Sequence, residues 1–445
     1  MTSRKTTMRW RDTGWRLTCV AVTALLAVSG CGAPTSGAMA DAGDNPDAGG
    51  GDAVSEAASD AGADASDADT KAFGGADTTA STDGRSDPAT ADAADTTGAR
   101  DAADAGSDGS AMSPPALRWL GRVQATAAGA RADWPGTGFL ARFSGSTAQV
   151  HIVTTLAAAP ADYYAVAVDG GAPTLLTTAA GAHDYTLADN LPAATHTVLL
   201  WRRTEALGST VELGPVTFPG GQLLAPPPAP SKRLEIVGDS ISVGYGVECQ
   251  AIGEAFAYAT ENNFLAYGSL TARALDADVK TMAWSGIGMW RDVGGGTTAS
   301  GSPQMPVRYL RALASATDAP WDFTRDVPGV VLVHLGTNDF AKGDPGAPFE
   351  QAYVDFLRDV RGRYPAARLY VAVSPMLSAA NRTLLRGHLD RVMATRAAAG
   401  ETNLGLVDFA PPDAQTGWGC GHPDGATHRI MAQLLIQTLK TDLGW

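Results

Sequence analysis

Cysteine, histidine, basic charge and long apolar runs are all in short supply in these 445 residues. Four cysteines and seven histidines show no ligand spacing of the kind a metal centre needs, so neither a metal nor another cofactor is expected. The apolar run near the start, Leu17 to Val28, falls short of the roughly 20 residues that span a bilayer. Basic groups number 33 against 47 acidic ones, a net charge of −14. No basic stripe stands out to neutralise phosphates, which argues against nucleic-acid binding. The acidic excess is local: residues 33–112 hold sixteen Asp and Glu56 against Lys71, Arg85 and Arg100, and this accounts for all of it. From 34 to 112 there is no Leu or Ile, and Phe73 is the single aromatic. Such a composition cannot bury enough apolar surface to offset the entropy of ordering.

What is present divides the chain into four parts. Residues 1–30 read as an export signal: Arg4, Lys5, Arg9, Arg11 and Arg16 precede the apolar run, and small residues follow it. Val28-Ser29-Gly30-Cys31 has the form of a bacterial lipobox, in which Cys31 takes a lipid that anchors the chain by burying acyl CH₂ groups. An ordinary signal with an incidental cysteine is the alternative. The expected location is the cell envelope, on the outer membrane or cell surface. Residues 31–112 then form a self-repelling tether. With Cys19 removed and Cys31 lipidated, Cys249 and Cys420 remain, an even number in an exported chain. One disulfide is expected, with two buried free thiols as the alternative.

Residues 113–228 carry short alternating runs, among them Gly138–Phe143, Ala148–Val153, Tyr163–Val168 and Thr197–Trp201, punctuated by Gly, Pro, Asp and Asn. This spacing predicts a β-sandwich or jelly roll. The proline-rich Ala225–Pro230 closes it. In residues 232–445 continuous apolar strands alternate with helices: Leu234–Val237, Val279–Ala283, Val330–Leu335, Leu369–Val373 and Leu404–Val407 against Asn263–Leu275, Ala347–Tyr364, Asn381–Ala398 and Ala426–Leu443. That alternation predicts a parallel sheet covered on both faces, a flavodoxin-like three-layer α/β/α domain with its site beyond the carboxyl ends of the strands.

Three strand ends and one late loop carry reactive residue types. The first strand ends in Gly238-Asp239-Ser240-Ile241, the second in Trp284-Ser285-Gly286-Ile287-Gly288, and the third in Gly336-Thr337-Asn338-Asp339. The late loop is Cys420-Gly421-His422-Pro423-Asp424. A serine on a turn, an imidazole that removes its proton, and amide donors for a developing oxyanion make a nucleophilic site. His428 lies inside the last helix pattern and reads as structural. Taken singly, each piece also reads as an ordinary turn.

Jointly the four pieces resemble the SGNH hydrolases, named for Ser, Gly, Asn and His. The stretches GDSISVGYG, ATENNFLAYGSLTARAL, SGIGMWRD, MPVRYLRAL, GTND and GCGHPDGATHRIMA narrow the resemblance to carbohydrate esterase family two. DWPGTGFLARF and LWRRTEA are similar to that family's N-terminal jelly roll. The likeness covers residues 117–445. It implies Ser240 as nucleophile and His422 as general base and acid, with the Ser240 and Gly286 N–H groups and the Asn338 side chain as oxyanion hole. Gly288 is the alternative to Gly286, and Asp239 and Asp339 brace their turns. The wider superfamily places an Asp three residues before the histidine; here Gly419 stands there. Some family members look like Ser–His dyads, so a carbonyl in the Trp418–Gly421 loop is expected to hold the imidazole, with Asp424 or Asp408 as the alternative. The Cys249–Cys420 bridge would tie the loop after the nucleophile to the histidine loop.

The implied activity is removal of O-acetyl groups from xylan or glucomannan by a monomer, with an acetylated polysaccharide as the partner. Trp418, Trp290 and Tyr245 are the candidate sugar-stacking residues, and Trp284 reads as core. A general short-acyl or lipid esterase and a non-catalytic carbohydrate-binding protein remain as rivals. The sandwich is expected to pack on the catalytic domain.

Overall fold

The computed structural model describes residues 116–297, 304–411 and 417–445. The export signal, Cys31 and the tether lie outside the described residues. Eleven strands form the first part. They are β1 (Arg118–Leu120), β2 (Gln124–Ala125), β3 (Ala130–Ala132), β4 (Gly138–Gly145), β5 (Ala148–Leu156) and β6 (Asp162–Val168). Then come β7 (Thr174–Thr178), β8 (Gly181–Ala188), β9 (Ala194–Arg202), β10 (Ser209–Thr217) and β11 (Gln222–Leu224).

Alternation decides which face is inward. In β4, Phe139, Ala141 and Phe143 are buried; in β5, Ala148, Val150 and Ile152 are. Antiparallel pairing yields one sheet in the order β1-β4-β9-β6-β7, with β11 added on β4, and a second in the order β2-β3-β10-β5-β8. The inner faces meet through Phe139, Phe143, Val150, Ile152, Tyr164, Leu200 and Leu213. Each such side chain contributes about 1.5–3 kcal/mol on burial. The sandwich read from the spacing is therefore present.

The second part is a parallel sheet of β12 (Lys232–Gly238), β13 (Ala277–Ala283), β14 (Val330–His334), β15 (Arg368–Val373) and β16 (Leu404–Asp408), in the order β13-β12-β14-β15-β16. The first strand thus lies between the second and third, which is the switch point of a doubly wound sheet. Helices α2 (Tyr267–Ala274) and α6 (Gly425–Leu443) cover one face through Tyr267, Ala272, Leu435 and Leu439. Helices α4 (Ala347–Arg363) and α5 (Ala379–Ala398) cover the other through Phe349, Tyr353, Leu385 and Leu389. Among the described residues no helix is long and apolar enough to cross a membrane.

One helix differs from expectation. The segment from Asn263 begins as a 3₁₀ turn, Asn263–Leu265, and turns α-helical only at Tyr267. Asn263 explains the break. Its amide donates to the carbonyls of Ser242 and Val243 at 3.1 and 3.2 Å and its Oδ1 accepts from the Ser269 hydroxyl at 3.1 Å. These bonds pull it toward the serine turn and out of helical register.

The sandwich packs on the parallel-sheet layer through shared cores. Trp134 and Ala206 belong to one core cluster of the parallel sheet, and Leu120, Ala165 and Trp201 to the other. Polar clamps cross the boundary. Asp133 accepts from the Ala314 and Ser315 N–H groups at 2.7 and 3.0 Å. Arg122 pairs with Glu235 on β12 at 3.5 Å, and the Arg203 carbonyl accepts the Asn263 N–H at 2.9 Å.

Candidate active site

The serine is presented by a sharp turn. Strand β12 runs into the short helix α1 (Ser240–Val243). Asp239 caps it, accepting the Ile241 N–H at 3.1 Å, and Gly244, at φ +90°, closes it. Gly238 has to be glycine, since a Cβ there would lie 2.1 Å from the Ser242 hydroxyl. Burial pushes the Asp239 carboxyl up to about 7, against the opposing hydrogen bonds of Thr337 and Ile241. It is a brace for the turn.

His422 arrives on a two-residue hairpin. Strand β17 (Trp418–Gly419) pairs with β18 (His422–Pro423), with Gly419 opposite His422. The two turn residues, Cys420 and Gly421, have φ of +52° and +72°, the left-handed geometry of a tight hairpin turn. Cys420 holds that unusual conformation because its N–H donates to the Ala251 carbonyl at 2.8 Å and its sulfur bridges to Cys249. The turn sets His422 Nε2 at 2.9 Å from Ser240 Oγ. Nδ1 lies 3.4 Å from the Cys420 carbonyl. The two reactive side chains, 182 residues apart in sequence, therefore meet at the sheet edge.

Neither alternative acid reaches the imidazole. Asp424 caps α6 by accepting the Thr427 N–H at 2.8 Å, and Asp408 pairs with Arg382 and Arg386. Gly419 shows why the familiar acid is not where the superfamily keeps it. A Cβ at that position would meet the Cys249 carbonyl oxygen at 2.6 Å and the Cys249 Cβ at 2.9 Å. The bridged cysteine fills the space an aspartate would need. Burial lowers the His422 pKa to about 4, with the Cys420 carbonyl opposing the shift, so the imidazole is a neutral base at neutral pH.

The amide donors come from the next two strand ends. Gly286, at φ +78°, lines a recess of about 230 Å³ together with Trp284, Ile287, Asp292, Val293 and Arg308. Gly288 is packed beneath this loop, where a Cβ would lie 1.8 Å from the Arg291 carbonyl oxygen and 2.8 Å from Asp339. Asn338 follows β14 and donates from Nδ2 to the Ile287 carbonyl at 2.7 Å. A primary amide has two N–H donors, so this bond orients the group while using only one. Asp339 accepts three backbone N–H groups, from Met289, Trp290 and Arg291, at 2.9, 2.7 and 2.9 Å. It thereby draws the loop after β13 over the end of β14.

The aromatic residues are used differently from the expectation. Tyr245 stacks on Phe256 at 3.7 Å between centroids and lies 4.2 Å from the His422 ring. Its ring braces the imidazole and is not an open platform. Trp290 packs against the core of the sheet because Asp339 holds its backbone down, and it is not among the residues lining the recess. Trp284, read as core, does touch that core but also lines the recess, with the Arg308 guanidinium 3.8 Å above its ring. Trp418 is half-buried on the His422 hairpin. Sequence reasoning missed Arg308, Asp292 and Val293; MPVRYLRAL carried Arg308 as part of the resemblance without assigning it a role. His428 is buried in α6, where Nδ1 accepts the Tyr267 N–H at 3.1 Å, a structural contact.

Comparison with known proteins agrees with this fold. Residues 119–228 match the family model "Carbohydrate esterase 2 N-terminal", and residues 236–430 match "GDSL-like Lipase/Acylhydrolase family". Fold and site thus define a GDSL-type serine hydrolase with an N-terminal sandwich. A family two carbohydrate esterase from Clostridium thermocellum, solved in complex with cellohexaose, is 32% identical with a TM-score of 0.70; the match covers 74% of this chain and 100% of that one. The chain belongs to carbohydrate esterase family two. A family two enzyme from Corynascus with a carbohydrate-binding domain is likewise 32% identical, with a TM-score of 0.66, over 74% of this chain and 100% of that one. The cellulase/esterase CelE of Acetivibrio thermocellus is 33% identical over 319 residues, 71% of this chain; the match spans 38% of that longer protein. An acetylxylan esterase / glucomannan deacetylase of Cellvibrio japonicus is 29% identical over 257 residues, 56% of this chain and 68% of its own.

Proposed function

We propose that the protein is an exported carbohydrate esterase that removes O-acetyl groups from plant cell-wall polysaccharides such as xylan and glucomannan. The observation that carries the reading is the 2.9 Å contact between Ser240 Oγ and His422 Nε2, set beside the Gly286 loop and Asn338. His422 takes the hydroxyl proton as Ser240 Oγ attacks the acetyl carbonyl carbon. The tetrahedral oxyanion receives the N–H groups of Ser240 and Gly286 and the free N–H of Asn338. Collapse breaks the bond to the sugar oxygen, which leaves with the proton from His422. Water, deprotonated by His422, then attacks the acetyl-enzyme, and acetate and free Ser240 result.

The Cys420 carbonyl keeps the Nδ1–H tautomer, so that Nε2 is the acceptor. A carbonyl stabilises the imidazolium less than a carboxylate does, and modest turnover follows. The relatives named for xylan and glucomannan support the polysaccharide class. The recess beside Gly286 mixes Trp284, Ile287 and Val293 with Asp292 and Arg308, and the two charged groups at its edge favour a sugar over a lipid tail. The lipobox at Cys31 supports tethering to the cell envelope. The test is acetate release from acetylated xylan and glucomannan by the full chain. Wild type is expected to release acetate from at least one and Ser240→Ala from neither; equal release by both proteins refutes the reading.

A further inference from the structure

The loop that presents Gly286 is held from outside its own domain. Strand β9 of the sandwich ends in Arg202, and the next three residues, Arg203-Thr204-Glu205, are all buried. This loop is stapled from both sides. Arg202 donates to the Ala132 and Ser209 carbonyls at 3.0 and 2.5 Å. Arg203 donates to the Ala259 carbonyl at 2.9 Å. Glu205 is 1% exposed. Its own N–H donates to Glu261 Oε1 at 2.6 Å. Its Oε2 crosses to the catalytic domain and accepts the Ser285 N–H at 2.7 Å. Ser285 immediately precedes Gly286 and lines the same recess. On the far side of Gly286, the carbonyl of that glycine accepts the Val293 N–H at 2.9 Å. The peptide that carries the Gly286 N–H therefore lies between two anchored neighbours, one held by the sandwich through Glu205 and one held within its own loop through Val293.

We propose that Glu205 is a positioning residue for the oxyanion hole, a carboxyl supplied by the β-sandwich that fixes Ser285 and so aims the Gly286 N–H at the reacting carbonyl. This rests on the dyad reading above and assigns the sandwich a part in the chemistry. The physical reason is preorganisation. A glycine at positive φ has few steric limits of its own, and a small change in the aim of one donor costs a large factor in rate. Two features make a buried acid suited to the task. The Glu205 oxygen is a fixed acceptor 2.7 Å from the Ser285 N–H whether the carboxyl is charged or neutral, and the burial of Glu205 and Glu261 shields that bond from solvent. Burial pushes Glu205 up to about 7, with Ser285 opposing, and burial together with Glu205 pushes Glu261 up.

The test uses the full chain with two near-isosteric variants and a distant control. Glu205→Met keeps the volume and removes the acceptor; Glu205→Gln keeps a carbonyl oxygen for Ser285. Asp133→Asn alters another buried clamp between the same two domains. Kinetics on an aryl acetate are paired with affinity for an arylboronic acid, which forms a tetrahedral adduct on Ser240. The expected result for Glu205→Met is a kcat about thirtyfold lower, KM within twofold, and a parallel loss of boronate affinity. Glu205→Gln is expected to hold kcat within threefold of wild type, and Asp133→Asn to leave it unchanged. Aryl acetate turnover that depends on Ser240 tests the dyad itself. Given that turnover, the inference is overturned if Glu205→Met stays within twofold of wild-type kcat. It is equally overturned if Glu205→Gln loses as much as Glu205→Met does, or if Asp133→Asn shows the same loss.

Discussion

Acid is the condition under which this site should depart most from an ordinary solvated histidine. The perturbation is a change of pH from 7 to 5. Burial against Tyr245 and Ser240 disfavours the imidazolium, and the His422 pKa falls to about 4 from the usual 6.5. The direction follows from charge: the neutral form is the base, burial favours it, and activity is present above the lowered pKa and lost only as pH falls through it. At pH 5 a base of pKa about 4 is roughly nine-tenths neutral, whereas one of pKa 6.5 is about 3% neutral. The difference is about thirtyfold in the competent fraction, well beyond assay error. The assay is kcat/KM from acetate release between pH 3.5 and 8 at constant ionic strength, corrected for hydrolysis in the Ser240→Ala protein. The expected profile is flat from pH 5 upward with its acid limb near 4. Tyr245→Ala opens the imidazole to water and is expected to move that limb up toward 6. A wild-type enzyme that loses nine-tenths of kcat/KM between pH 7 and 5 refutes the reasoning.

Two further predictions concern what holds the imidazole. Asp424→Asn and Asp408→Asn are each expected to keep kcat within about threefold, because one carboxylate caps a helix and the other pairs with arginines; a thousandfold loss in either would reveal a catalytic acid. Asn also caps helices well, so Asp424→Asn should leave the melting temperature within a few degrees. Gly419→Asp restores the superfamily's acid in sequence, yet it is expected to lower kcat/KM at least tenfold, because its Cβ collides with Cys249. A rise in kcat for Gly419→Asp would show that the histidine loop has room for a triad.

Much of this site was legible along the chain. Apolar runs without alternation indicate buried parallel strands, and such sheets concentrate chemistry at the carboxyl ends, so the loops bearing Ser240, Gly286 and Asn338 could be located by counting strands, while the roles of those residues came from the family resemblance. The Cys249–Cys420 pair followed from parity once Cys19 and Cys31 were assigned to an expected export signal and lipid site. The gap at Gly419 directed attention to a carbonyl in the hairpin, and the Cys420 carbonyl faces Nδ1. Pattern carries this information because side-chain type, period and order along one chain are sequence properties.

Other features depended on which surfaces meet. Tyr245 looked like a sugar platform and proved to be spent on Phe256 and His422, since stacking partners are chosen by the path of a loop that has no period. Asn263 looked helical and was drawn aside by two carbonyls of the serine turn. Glu205 gave no sign of a bond to a residue 80 positions away, because its partner is a backbone N–H, a group every residue but proline has. Residue type and order, read through the family resemblance, indicated the kind of chemistry at the sheet edge. The aim of the donors, the partial burial of the imidazole and the reach of the sandwich into the site were decided by close packing, whose contacts leave no periodic trace in the chain.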